Sequence, residues 1–301
     1  MKKKNSNKTA ITNQKHELIL KVVLSSFSFF IAIFIGGTVF SLVCNSNTEW
    51  ADISEPIIEI DTFTEETQDA PPYGNGFVAD LSEYEEYINP ILQKRDDFLL
   101  LVNSKNTLKS KFKPNDLTLV SSSLVADNVN EPYLSLYAAK ALEAMFIEMK
   151  EQNVEINDIN TKIPTTVKRC FISYEEQNQM FQYEVDKLMK NDETLTKEMA
   201  EKLAESTVSR PGANEHQSGL AVDIHNMSVE SIKFEETEVF SWLKDNCWKF
   251  GFILRYPENK SEVTGVQFEP WHFRYVGRYH SERIYKLDLC LEEYLEYFNL
   301  D

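Results

Sequence analysis

Cysteine, histidine and positive charge are all in short supply in this chain, and each shortage removes a class of protein from consideration. The four cysteines, Cys44, Cys170, Cys247 and Cys290, form no Cys-x-x-Cys pair, which excludes a cysteine-built zinc ribbon and a dense disulfide framework. An odd three lie beyond the N-terminal apolar run. Buried free thiols are the expectation for them, with Cys170 bonded to Cys247 or Cys290 as the alternative. Lysine and arginine number 31 against 48 acidic residues, a formal charge of -17. That balance leaves no cationic footprint for phosphates, so nucleic acid is not an expected partner.

Long apolar runs are also scarce, with one exception. Residues 22–44 carry no charge; as a helix they would extend about 35 Å, enough for a hydrocarbon layer of about 30 Å with some tilt. Lys2, Lys3, Lys4, Lys8, Lys15 and Lys21 precede the run against Glu17 alone, which keeps that end cytoplasmic. A cleaved signal would have a shorter apolar stretch and small residues at its end. Ser41-Leu42-Val43-Cys44 fits this poorly, so an uncleaved anchor is expected, with the rest of the chain outside the membrane. Residues 45–87 are acidic and interrupted by Pro56 and Pro71-Pro72-Tyr73-Gly74-Asn75-Gly76, and read as an extended linker. The expected organisation is a basic tail (1–21), an anchor (22–44), a linker (45–87) and one domain (88–301).

Within the domain, Leu134, Ala138, Leu142, Met145 and Met149 recur at helical spacing and predict a helix over 132–152, with Pro132 in its first turn. Further helices are predicted over 175–190, 195–205 and 235–250. The last buries Val239, Trp242, Leu243 and Trp248 or Phe250, and ends at Gly251. Residues 220–224 and 263–276 are β-branched or aromatic and bounded by glycines, and read as strands. Along the second, Trp271, Phe273 and Tyr275 alternate with His272, Arg274 and Val276, so the aromatic set takes one face and His272 the other. Glu269 and His272, three apart, would face opposite ways on a regular strand; Pro270 supplies a break that turns both to one side.

Of five histidines, two sit in compact segments beside acids: Glu215-His216-Gln217-Ser218-Gly219-Leu220-Ala221-Val222-Asp223 and Glu269-Pro270-Trp271-His272. Two imidazoles and a carboxylate can fill three positions of a tetrahedral zinc and leave the fourth open, while an outlying carboxylate acts as base. His216, Asp223 and His272 are therefore candidate ligands and Glu269 the candidate base; a hydrogen-bonded structural histidine is the competing account. His225 and His280 are expected at the surface or behind the ligands.

The longer segment from Ser209-Arg210-Pro211-Gly212-Ala213-Asn214 through Asp223-Ile224 resembles the signature of the VanY-type D-alanyl-D-alanine carboxypeptidases. Glu269-Pro270-Trp271-His272-Phe273-Arg274-Tyr275-Val276-Gly277 is similar to that family's closing motif, and Phe250-Gly251-Phe252-Ile253-Leu254-Arg255-Tyr256-Pro257 to the segment between. The resemblance implies an α+β fold of the hedgehog/D-Ala-D-Ala peptidase type, a small antiparallel sheet ringed by helices. It also implies Zn2+ on His216, Asp223 and His272, Glu269 as general base, and peptidoglycan stem peptides of a bacterial, Gram-positive type of wall as substrate. Ser173, Tyr174 and Gln177 match its pocket-lining Ser-Tyr-x-x-Gln run. Three positions depart from it: Ala213, Asn214 and, above all, Ile172, which replaces an arginine that helps stabilise the oxyanion. Lys168, Arg169 and Arg210 lie near enough in sequence to supply the missing cation, and Arg210 joins Ser173, Tyr174 and Gln177 as an expected substrate-side residue. The expected activity is D-Ala-D-Ala carboxypeptidase. L,D-carboxypeptidase action on tetrapeptides and a weakened, membrane-held wall-binding protein are the alternatives.

Overall fold

The computed structural model describes residues 76–92, 95–129, 131–154, 163–228 and 230–300. The expected tail and anchor, and most of the expected linker, lie outside them; among the described residues no helix is long and apolar enough to cross a membrane.

Two antiparallel sheets and surrounding helices make an α+β fold. Strands β1 (Leu117–Leu119) and β2 (Tyr133–Ser135) form a two-stranded ribbon. Strands β3 (Thr166–Arg169), β4 (Ala221–His225), β5 (Phe252–Leu254) and β6 (His272–Tyr275) form a sheet in the order β3-β4-β6-β5. Six longer helices surround them: α1 (Leu136–Glu151), α2 (Tyr174–Asn191), α3 (Lys197–Ala204), α4 (Glu238–Asn246), α5 (Arg278–Leu287) and α6 (Leu291–Phe298).

Period-two alternation decides which side chains meet the core. Val222 and Ile224 of β4 and Phe273 and Tyr275 of β6 enter one cluster with Ala138, Leu142, Met145 and Met149 of α1 and Val239 and Leu243 of α4. Phe250, fully buried, fills the position for which Trp248 was the other choice; Trp248 instead stacks on Tyr285. Asp223, His272 and Arg274 take the opposite face, as the alternation along 271–276 requires. That face is covered too, since every residue of β4 and β6 is buried.

Two expected elements are shorter than the pattern suggests. The helix over 132–152 begins only at Leu136, because Tyr133–Ser135 pairs with β1; Leu134 is buried as a strand residue. The strand over 263–276 is extended only from His272. Ser261–Thr264 is instead a helical turn, ended by Gly265 in the left-handed region, a usual helix stop. The folded unit also starts earlier than residue 88. Leu81 is in the core, and the buried Glu148 carboxylate accepts the backbone N–H of Val78 and of Ala79, each at 2.8 Å. Cys170, Cys247 and Cys290 are buried free thiols.

Candidate metal centre

The first segment reaches the site through a tight 3-10 turn. Asn214 caps it, its Oδ1 accepting His216 N–H at 2.9 Å, and Gly219 ends it at φ 70. The left-handed backbone at Gly219 favours glycine, and a Cβ there would lie 2.9 Å from Leu117 Cδ2 and 3.1 Å from Pro114 Cγ, so glycine suits the close passage beside β1 into β4. This sharp entry turns His216 towards Asp223 on β4. Asp223 is in turn paired across the sheet with His272, the first residue of β6. Just before β6, His272 N donates to Glu269 O at 3.2 Å; this turn, placed by Pro270, brings the Glu269 carboxylate within 3.7 Å of His272 Nδ1.

Three side chains from separate stretches thus converge. His216 Nε2 lies 3.3 Å and His272 Nδ1 3.0 Å from Asp223 Oδ1, and one ligand atom from each of the three residues falls within 4.8 Å of the others. Ligands on one tetrahedral zinc, at about 2.0–2.1 Å from it, stand about 3.3 Å apart. The approaches are close but not aligned as hydrogen bonds: neither Asp223 oxygen nor His216 Nδ1 has a hydrogen-bond partner, and all are buried. Burying an unsatisfied carboxylate is costly, and a divalent cation at the shared point removes that cost. The donor set of two imidazoles and one carboxylate fits zinc.

The surrounding charges are arranged with the same bias. Burial favours a neutral Asp223, yet His216 and His272 hold its carboxyl well below the usual range. Burial likewise pulls His272 down, but the carboxylates of Asp223 and Glu215 push it up to about 10, so metal uptake through this ring displaces a proton. Glu269 goes the other way: burial, with Asp223 and Glu230 nearby, raises it to about 7 against the pull of His272 and Arg169. A carboxylate tuned there can both accept and return a proton near neutrality.

The far side of His272 holds a cluster that the sequence pattern did not single out. His272 Nε2 sits 3.4 Å from Glu215 Oε2. Glu215 Oε1 accepts from Arg255 Nε at 2.7 Å and Arg274 Nη1 at 2.9 Å. Arg255 makes a second, bidentate pair with Glu292 at 2.7 and 2.8 Å, while Arg274 donates to the carbonyls of Phe98 and Leu100. Burial would raise Glu215, but the two guanidinium groups and His272 hold it well below its ordinary value. The signal was in the motifs: Glu215 adjoins His216, Arg274 stands two residues after His272, and Arg255 follows β5.

A cavity of about 250 Å³ opens over the centre, lined by His216, Asp223, Glu269 and His272 together with Arg169, Gln177 and Glu230. Of the expected substrate-side residues, Gln177 is there; its Oε1 accepts from Asn214 Nδ2 at 2.5 Å and its Nε2 donates to Ser209 O at 2.6 Å. Ser173 caps α2 through a reciprocal box with Glu176. Ser173 and Tyr174 are not among the cavity-lining residues, nor is Arg210, which pairs with Glu205 and Glu201 at 2.5 and 3.3 Å. Ile172 is buried and donates its N–H to His216 O. His225 and His280 are both buried rather than at the surface, His225 Nδ1 accepting Met227 N–H and His280 Nδ1 meeting the Tyr294 hydroxyl.

The chain is similar to several known proteins. Residues 131–278 match the family model described as VanY, D-alanyl-D-alanine carboxypeptidase. A Bacillus subtilis protein described as putative carboxypeptidase YodJ is 34% identical over 212 residues, spanning 68% of this chain and 69% of its own. The structure of the LdcB LD-carboxypeptidase superposes with a TM-score of 0.55 at 33% identity, covering 67% of this chain and 88% of that one. A vancomycin-resistance D,D-pentapeptidase VanY in complex with Zn(II) superposes at 0.51, also 33% identical, covering 66% of this chain and 99% of that one.

Proposed function

This chain belongs to the VanY family of D-alanyl-D-alanine carboxypeptidases, and on that premise we propose that it trims the terminal D-alanine from peptidoglycan stem peptides. It is a zinc metallocarboxypeptidase, with His216, Asp223 and His272 as the proposed ligands. One observation carries the assignment: ligand atoms of three buried residues converge within 4.8 Å of one another, around an Asp223 carboxylate whose two buried oxygens have no hydrogen-bond partner and beside a carboxylate raised to about 7.

Zinc bound there supplies Lewis acidity to the scissile carbonyl and makes a nearby water a better nucleophile. The chain's own groups do the rest. Glu269 accepts the proton of the attacking water and returns it to the departing amine nitrogen, leaving D-alanine and a peptide shorter by one residue. Glu215, fixed by Arg255 and Arg274, faces His272 Nε2 and leaves Nδ1 directed at the centre, a supporting arrangement common behind metal-bound imidazoles. Gln177 and Asn214 hold the turn that carries His216.

The likeness to an LD-carboxypeptidase at equal identity favours one second reading, removal of D-alanine from a tetrapeptide. We also propose that residues 22–44 anchor the protein, with the hydrolase domain outside the cell. Incubating the full chain with purified stem pentapeptide and tetrapeptide, followed by mass spectrometry, tests the activity. The expected result is loss of one D-alanine from the pentapeptide, abolished by chelator and restored by zinc. Release from the tetrapeptide alone selects the second reading, and release from neither overturns both.

A further inference from the structure

The cavity over the metal centre is rich in carboxylates. Glu215, Asp223, Glu230 and Glu269 all line it, and Arg169 is the one lysine or arginine among the lining residues. Glu215 is neutralised from behind by two buried arginines, but Glu230 and Asp223 face the space with Arg169 between them. Arg169 Nη2 lies 3.1 Å from Glu230 Oε1 and Nη1 lies 3.5 Å from Asp223 Oδ2.

A backbone irregularity puts this cation here. Thr166 pairs with His225 and Val167 with Ile224, after which the register shifts and Arg169, rather than Lys168, stands opposite Asp223. Such a bulge inserts one residue and re-aims the side chain that follows. Asp223 is itself opposite His272, so Arg169, Asp223 and His272 form a single row across β3, β4 and β6. Lys168, the extra residue, lines a different groove with Phe146, Lys150 and Thr166. Arg210 is held by Glu201 and Glu205.

A carboxypeptidase substrate must bring a free carboxylate within one residue of the scissile carbonyl. The proposed zinc serves the scissile carbonyl, so a carboxylate one residue away, close to Glu230 and Glu269, needs a cation of its own, and a guanidinium suits a carboxylate through paired N–H donors. Arg169 is also free to change partners. Its side chain is 41% and that of Glu230 35% exposed, and solvent-exposed ion pairs of this kind contribute little. Resting on the carboxypeptidase reading above, we propose that Arg169 receives the C-terminal carboxylate of the peptide substrate, which takes over the place held by Glu230. Glu230 then acts as a competing carboxylate that keeps the guanidinium aimed into the cavity until substrate arrives.

The test is calorimetric binding to zinc-loaded full-length protein carrying Glu269→Gln, so that substrate is not consumed. The probes are an N-acylated D-Ala-D-Ala dipeptide as free acid and as C-terminal amide. The parent should prefer the acid by about 10- to 100-fold, the range for a charge-assisted pair. Adding Arg169→Met should abolish that preference with zinc content unchanged, Arg169→Lys should retain part of it, and Glu230→Gln should tighten binding of the acid and not of the amide. An acid preference that survives Arg169→Met, or one absent from the parent, overturns the assignment and leaves the hydrolase reading standing. If the unaltered protein neither binds nor cleaves either peptide, both fall together.

Discussion

The two edges of the His272 ring face opposite kinds of chemistry. At Nε2, Glu215, Arg255, Arg274 and Glu292 form a closed set in which each carboxylate meets a guanidinium. At Nδ1, Asp223 and His216 crowd together, with both buried oxygens of Asp223 left without a hydrogen bond. Both clusters are buried and both are charged, so burial and charge alone do not mark the site. What distinguishes it is incomplete satisfaction: one edge is finished by the protein, and the other waits for a cation. A fold that spends two buried arginines on the rear of one imidazole keeps its front rigid for the metal.

The largest effects should come from breaking the unsatisfied edge. Asp223→Asn removes a ligand and should eliminate both bound zinc and D-alanine release, checked by metal analysis on protein whose circular dichroism is unchanged. Glu269→Gln separates binding from chemistry. It should keep about one zinc per chain yet lose about 100- to 10,000-fold in turnover, the range for a positioned acid–base group. A Glu269→Gln protein that turns over at the full rate would remove Glu269 from the mechanism.

Breaking the closed edge should be read mainly in stability. Glu215→Gln keeps the shape and removes the charge, leaving Arg274 with carbonyl partners only, and an uncompensated buried charge costs about 3–5 kcal/mol. The sign with pH is definite. The folded carboxyl of Glu215 lies below its ordinary 4.5, so its contribution is fully present above about pH 4.5 and is lost as pH falls through the folded value. The denaturation gap between the native protein and Glu215→Gln should therefore be wider at pH 7 than at pH 3. An equal gap at both would show that the charge is not what stabilises this edge.

The same contrast explains what could be read from the sequence. His216, Asp223, Glu269 and His272 stood out because reactive side chains at short spacing are rare in a chain with five histidines, and alternation along 271–276 placed Phe273 and His272 on opposite faces. The closed cluster was harder to see. Glu215, Arg255 and Glu292 are far apart in sequence and look like ordinary surface charges until the sheet and α6 bring them together. β3 and β5 were missed for a related reason: Thr166–Arg169 and Phe252–Leu254 are only four and three residues long, too short to establish a period. Arg169 was one of three nearby cations, and only the bulge after Val167 distinguishes it from Lys168.

Ser173 offers the smallest and sharpest test of the boundary between scaffold and site. Its resemblance to a pocket residue suggests contact with substrate, but its Oγ accepts Glu176 N–H at 3.2 Å while Glu176 Oε2 accepts Ser173 N–H at 2.8 Å, a complete capping box. Ser173→Ala should therefore lower stability by about 1 kcal/mol, the usual cost of a lost cap, and leave KM and kcat for stem pentapeptide within a factor of about 2. Ser173→Asp, which can still cap α2, should recover the stability. If Ser173→Ala raises KM severalfold and Ser173→Asp worsens it, the hydroxyl reaches the substrate and the cavity extends past Gln177 to the start of α2.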